Sequence, residues 1–168
     1  MFEILLICFL FTVYRKPGLT PGRGQNIANC NYKNPPAKGK VCDVDVRNWH
    51  PCTQENEFNF HKLGPCIFLK LNKIYGWTPE YYNSTNGLPA NMPQELKNHI
   101  ATVAATNPDE LNTIWVSCEG ENPADIENLG KVNYLPKHGF PGFFFPYENS
   151  EGYLSPPIAI HIERPRSK

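Results

Sequence analysis

Four cysteines, Cys30, Cys42, Cys52 and Cys66, fall within 37 residues crowded with Asn, Pro and Gly. A loop-like stretch of that kind buries little apolar surface of its own, so two disulfides stapling loops best account for the density. Disulfides in turn place the chain in an oxidising compartment. The alternative is a set of buried free thiols in a cytosolic protein, which suits so irregular a region poorly. No two cysteines are spaced C-x-x-C, so zinc ribbons, thioredoxin-like redox sites and haem attachment have no support. One N-glycosylation sequon, Asn83-Ser84-Thr85, lies in a polar loop beside Asn86-Gly87 and agrees with an oxidising route.

The rest of the chain must supply the core. Its 168 residues suit one domain, and 10 Phe, 8 Tyr and 3 Trp argue against disorder. Sixteen basic and sixteen acidic side chains cancel, without basic blocks, so the electrostatic footprint of a nucleic-acid binder is missing. Seventeen prolines, about twice the usual ~5%, favour short strands joined by turns over long helices. At the amino end, residues 4–13 are apolar apart from Thr12. A membrane-spanning helix needs about 20 such residues, so this run cannot span a bilayer unaided. It is similar in length to a signal-peptide hydrophobic region, but Glu3 precedes it and Arg15 and Lys16 follow it. Two segments are therefore expected: a short apolar run over residues 1–13, which contains Cys8, and a folded body over residues 14–168.

Within that body, residues 66–74 alternate, with Ile67, Leu69 and Leu71 on one face and Lys70 and Asn72 on the other, which predicts a half-buried strand. Residues 93–105 form the one convincing helix, with Pro93 and Glu95 in its first turn and Leu96, Ile100 and Val103 on one face. A second strand is expected over 113–119, a third over 132–135. Near the end, Ile158, Ile160 and Ile162 alternate with Ala159, His161 and Glu163. Asp43 and Asp45 alternate with Val44 and Val46 and predict a charged edge strand. Short strands separated by turns make the expected class mainly β, an antiparallel sandwich with a helical insertion and disulfide-tied loops.

Chemistry is hard to assemble from these residues. None of the five histidines pairs with another at helical spacing, and no G-x-S-x-G, P-loop or G-x-G-x-x-G occurs. Cys52 with His50 or His61 would make a nucleophile pair only if Cys52 were a thiolate, which a disulfide prevents. The acidic run Glu119, Glu121, Asp125 lacks the spacing of a calcium loop and reads as a solvated turn. No cofactor or metal is expected. The most unusual segment is GFPGFFFPY at residues 139–147, in which Phe140, Phe143, Phe144, Phe145 and Tyr147 cannot all enter one core. A strand would turn alternate rings to opposite faces, leaving Phe143 and Phe145 exposed if Phe144 is buried. Exposed aromatic patches mark interaction surfaces.

Several of these motifs together resemble the extracellular domain of the sodium/potassium-transporting ATPase β subunit family, in its insect-like form. Cys42 and Cys52 followed by PCIFLKLNKIYGWTP at 65–79 are similar to that family's central cysteine and strand signature. VSCEG at 116–120 resembles its next cysteine motif, and GFFFPY at 142–147 with YLSP at 153–156 its aromatic-proline block. The resemblance runs over residues 12–165. It implies an immunoglobulin-like sandwich without catalysis of its own, belonging to a one-pass membrane glycoprotein on the extracellular side of the plasma membrane. Such a subunit binds the catalytic α subunit, assists its folding and delivery, and tunes potassium handling; ATP hydrolysis and cation transport belong to that partner. The resemblance also implies disulfides Cys30–Cys42 and Cys52–Cys66 and an α-subunit contact through Phe143, Phe144, Phe145, Tyr147, Tyr153 and Leu154, and its glycoprotein character agrees with the glycosylation site read from the sequon at Asn83.

Against the family pattern, a cytoplasmic tail, full membrane helix and upstream ectodomain are replaced by the short amino-terminal run, and the chain stops before the sixth family cysteine. A partial product is therefore expected, membrane-associated through its partner or a missing anchor, in which Cys118 lacks its family partner. Pro157 stands where a larger apolar residue is usual, and inside a sheet it would remove a ladder hydrogen bond. Two rival readings remain at this level: a secreted, disulfide-rich adhesion or recognition module, and a secreted hydrolase using Glu119, Glu121 and Asp125.

Overall fold

Alternating apolar residues near the end of the chain form the strand on which the largest sheet is built. The computed structural model describes residues 26–62, 64–121 and 123–163. Among them the order is β1 (Ile27–Ala28), β2 (Val41–Cys42), β3 (Cys66–Lys70), α1 (Gln94–Thr106), β4 (Thr113–Trp115), α2 (Pro123–Asn128), β5 (Val132–Leu135), β6 (Gly139–Pro141) and β7 (Pro157–Ile162). The apolar run over residues 1–13 and Cys8 lie outside the described residues. The fold is mainly β with few helices, as expected, and its antiparallel sheets are consistent with an immunoglobulin-like sandwich.

β7 is the centre of a three-stranded antiparallel sheet in the order β3-β7-β5. It pairs with β3 from Cys66↔His161 to Lys70↔Pro157, and with β5 from Val132↔Ile162 to Leu135↔Ala159. Pro157 therefore opens the strand, at the end of the β3 ladder and beyond the last β5 partner, the position where a strand tolerates proline. The period-two pattern of β7 is present, but its second face is not the solvent face the alternation suggests. Ile158 packs with Val116 and Phe140 on one side, while Ala159 packs with Trp49 and the Cys52–Cys66 pair on the other. The small alanine leaves room for that indole and disulfide, so both faces are covered. His161 then accepts a hydrogen bond at Nε2 from the buried Asn59 Nδ2 at 3.2 Å, and Asn59 also donates to the Gly64 carbonyl at 2.8 Å.

The strand expected over 113–119 ends at Trp115, because its antiparallel partner β6 is only three residues long, Ile114 facing Phe140 and Trp115 facing Gly139. At Gly139 φ is +155°, and a Cβ there would overlap the Ile114 carbonyl oxygen. Glycine is what lets the two strands approach.

The edge strand expected at Asp43 and Asp45 does not form. β2 ends at Cys42 and runs parallel to β1, and the Asp45 carboxylate instead receives the Arg47 backbone N–H (3.0 Å), Nε (2.8 Å) and a terminal guanidinium nitrogen (2.7 Å). These local bonds give the backbone a turn in place of a ladder. Hydrogen bonding to Arg47 also holds the Asp45 carboxyl down to about 2.

Helix α1 begins one residue after Pro93 and carries Glu95 in its first turn. Leu96, Ile100 and Val103, at helical spacing, are buried against Leu111 and Trp115. Full burial of Ile100 contributes about 1.5–3 kcal/mol relative to exposure. On the same side His99 meets the Trp115 ring edge-on at 5.7 Å and His138 at 4.9 Å, and His138 stacks on Tyr134 at 3.8 Å.

The His138 Nε2 atom is buried with no hydrogen-bond partner. Burial, and secondarily the neighbouring His99, push His138 down to about 4. An unfolded histidine takes up its proton near 6.5, so below that value the unfolded chain binds more protons than the folded one. Stability should therefore fall as pH drops from about 6.5 to about 4, with no further loss from this group below that. Urea titrations at pH 7 and pH 4.5 should show that loss, and a smaller one in His138→Gln. An equal loss in both proteins would assign the acid sensitivity to other groups.

Candidate partner-binding surface

The aromatic block adopts a 3-10 turn over Gly142–Phe144 instead of a strand. Its start is fixed by the Gly142 N–H, which donates to the Asn112 carbonyl at 2.8 Å, and by Tyr81 Oη, which donates to the Gly142 carbonyl at 3.3 Å. A Cβ on Gly142 would lie 2.5 Å from both Asn112 O and Tyr81 Oη, so the backbone can approach only as glycine.

Because the turn breaks the alternation, Phe143, Phe144 and Phe145 are all half-buried. Phe143 meets Tyr32 edge-on at 5.1 Å and leans on Phe144 at 4.8 Å; Phe145 meets Trp77 edge-on at 5.6 Å. Each such ring pair adds roughly 0.5–1.5 kcal/mol beyond area burial. Tyr32 is itself held by a 2.7 Å hydrogen bond with Thr113 Oγ1, and burial pushes its phenol up to about 12. Lys137 lies 5.3 Å from the Tyr32 ring centroid and pairs with Glu110.

Two residues beyond Phe145, Tyr147 begins a second aromatic group. Tyr75 and Tyr147 form a parallel bridge, and the Gly76 N–H donates to the Tyr147 carbonyl at 2.9 Å. Tyr147 and Tyr153 lean together at 4.8 Å, with Lys73 Nζ 5.3 and 5.5 Å from their centroids and 3.5 Å from the Tyr153 carbonyl. Tyr147 Oη bonds Asn149 Oδ1 at 2.7 Å, and burial, then the neighbouring Tyr147, raises the Tyr153 phenol. Around this clamp Ile74, Tyr75 and Leu154 are 55%, 73% and 43% exposed. Three large apolar side chains stand in water beside these tyrosines, an exposed patch of the composition that candidate interaction surfaces have. Of the residues grouped here, Tyr147, Tyr153 and Leu154 were among the positions expected from the sequence, and Lys73, Ile74 and Tyr75 were not. The signal was the apolar Ile74-Tyr75 pair continuing past the polar Asn72-Lys73, where a strand ending in a solvated turn would be hydrophilic.

The remaining candidate positions are spread over the molecule. Cys30–Cys42 and Cys52–Cys66 are disulfides with Cα separations of 5.4 and 5.5 Å. Cys118 is a half-buried thiol whose backbone N–H donates to Tyr134 Oη at 2.7 Å. Asn83 is exposed, as are Glu119 and Glu121. Among the described residues, no group of three or more His, Cys, Asp or Glu side chains converges as a metal site, and no helix is long and apolar enough to cross a membrane.

Comparison with known proteins adds a family to this geometry. The model of the sodium / potassium ATPase beta chain family matches residues 16–168. Sodium/potassium-transporting ATPase subunit beta-2 of Drosophila melanogaster is 70% identical over 154 residues, 92% of this chain and 48% of that protein. Subunit beta-1 of the same organism is 35% identical over 84% of this chain and 44% of its own length. The probable subunit beta-3 of Caenorhabditis briggsae is 30% identical over 70% and 32%. The chain spans about half the length of the Drosophila relatives it matches. On the matched span and the shared identity, the chain belongs to the sodium/potassium ATPase β chain family.

Proposed function

We propose that this chain acts as a non-catalytic β subunit of a sodium/potassium-exchanging P-type ATPase. It binds the catalytic α subunit on the extracellular side of the plasma membrane and supports that subunit's folding, delivery and transport of Na+ and K+. The observation that carries the reading is the exposed patch of Ile74, Tyr75 and Leu154 around the Lys73–Tyr147–Tyr153 clamp. Disulfides Cys30–Cys42 and Cys52–Cys66 support an oxidising, extracytoplasmic setting. In that setting Asn83, exposed and within its sequon, carries an N-linked glycan.

Because Phe143 and Phe145 are half-buried in ring contacts with Tyr32 and Trp77, alanine at those positions would disturb folding together with binding. Tyr75→Ser with Leu154→Ser removes only exposed surface. Co-expression with an insect sodium-pump α subunit and detergent pull-down should recover α with the parent chain. The double variant should recover at least about tenfold less, corresponding to ~1.4 kcal/mol or more. Unchanged recovery by a folded double variant would overturn the contact assignment. No recovery by the folded, oxidised parent would favour a secreted recognition module.

A further inference from the structure

A polar groove of about 470 Å3 lies between the loop that follows Asn83 and the outer face of α1. Its loop wall includes Thr85, Asn86 and Leu88, and its helix wall Gln94, Asn98 and Ala101. We propose that this groove seats the first sugars of the N-linked glycan on Asn83, so that the glycan is an ordered part of the fold and a brace for α1. The proposal rests on the reading of Asn83 as glycosylated, and three observations carry the seat itself.

The first is proximity. Thr85 is both the third residue of the sequon and the start of the groove wall, and two residues of chain span at most about 7 Å. The Asn86 N–H donates to Ser84 Oγ at 3.1 Å, and Gly87 takes φ +79° with open space around it. That turn folds the loop back along the helix while Asn83 stays exposed.

The second is the chemistry of the lining. Gln94 Nε2 donates to Asn98 Oδ1 at 2.9 Å, which aligns two exposed amides carrying a further donor on Asn98 and a further acceptor on Gln94. Sugar hydroxyls and an N-acetyl group need both kinds of partner. Leu88, half-buried, and Ala101 supply an apolar floor for the C–H face of a pyranose ring.

The third is size, since the volume falls within the roughly 300–1,000 Å3 of small-ligand clefts. Attachment uses a lipid diphosphate-linked oligosaccharide. The Asn83 amide nitrogen forms a bond to the anomeric carbon, the amide loses a proton, and the lipid diphosphate leaves.

The test compares the parent chain, Asn83→Gln and Asn98→Arg, each expressed in insect cells. Glycopeptide mass spectrometry reads occupancy at Asn83, and hydrogen exchange reads protection of residues 94–101. The glycosylated parent should exchange at least threefold more slowly there than Asn83→Gln. Asn98→Arg, which crowds the groove, should keep its glycan and lose that protection. Cross-relaxation between the first sugar's N-acetyl methyl and the Ala101 methyl should appear only in the parent. An occupied Asn83 with neither protection nor cross-relaxation overturns the seat and leaves the glycosylation reading standing. An unoccupied Asn83 overturns both.

Discussion

Replacing Cys52 and Cys66 together with alanine should lower the unfolding free energy by about 3–5 kcal/mol, a large share of the ~5–15 kcal/mol that holds a domain folded. The bond closes a loop of 14 residues, and freeing such a loop in the unfolded chain alone accounts for about 3 kcal/mol. Packing adds to this. Cys52 and Cys66 are 1% and 4% exposed, and their sulfurs cover the Ala159 face of β7 together with Trp49. Removing them leaves that face of the sheet with an underfilled space. Urea unfolding at neutral pH is the measurement, with a steeper slope expected for the variant because its unfolded chain exposes more surface. A loss below about 1 kcal/mol would mean that Trp49, Phe58 and Phe68 hold the face without the bond.

Gly139→Ala should be the most damaging alanine replacement among the described glycines, at about 3 kcal/mol or more. The added Cβ meets the backbone carbonyl of Ile114, which cannot move without breaking the β4–β6 pairing, and comes within 2.7 Å of Thr113 Cγ2. φ +155° adds strain of its own for any side chain. At about 2–4 °C per kcal/mol, the melting temperature should fall by roughly 6–12 °C. Gly39→Ala serves as the control, since Gly39 also has positive φ (+76°) but open space around it. It should show only the conformational cost of roughly 1–2 kcal/mol. Equal losses at the two positions would reduce the Gly139 effect to backbone preference. The consequence reaches the phenylalanine block, because the chain passes from β6 directly into the Gly142 turn that seats its rings.

Which parts of this arrangement can be read from the residues follows from where the forces act. β3, α1, β5 and β7 each have a periodic apolar face, and each appears within a few residues of its expected span. The two-residue strands β1 and β2 have no period to detect, and their parallel pairing accompanies the Cys30–Cys42 bond and contacts with distant chain. The covering of the Ala159 face depends on Trp49, more than a hundred residues away, so an alternating Ile/Ala pattern looked half-solvated when it was not. The phenylalanine block was identifiable as unusual by its composition, although Phe140 is buried and Phe143, Phe144 and Phe145 are half-buried. Its orientation was not, because the Gly142 turn is imposed by Asn112 and Tyr81 from elsewhere in the chain. Ile74 and Tyr75 were visible as apolar residues, but only the bridge to Tyr147 places them on the patch.

The strand order β3-β7-β5 has a bearing on biosynthesis. The central strand is the last of the three to leave the ribosome, and Ile67 must wait for Ile160, roughly ninety residues later. At about 5–20 residues per second, that delay is roughly 5–20 s. The Cys52–Cys66 loop, by contrast, is complete as soon as β3 begins. Oxidation can therefore lock β3's start against Cys52 before its own sheet exists. Until then the edges of β3 and β5 that will receive β7 stay unpaired, and the arrival of β7 closes both in a single step.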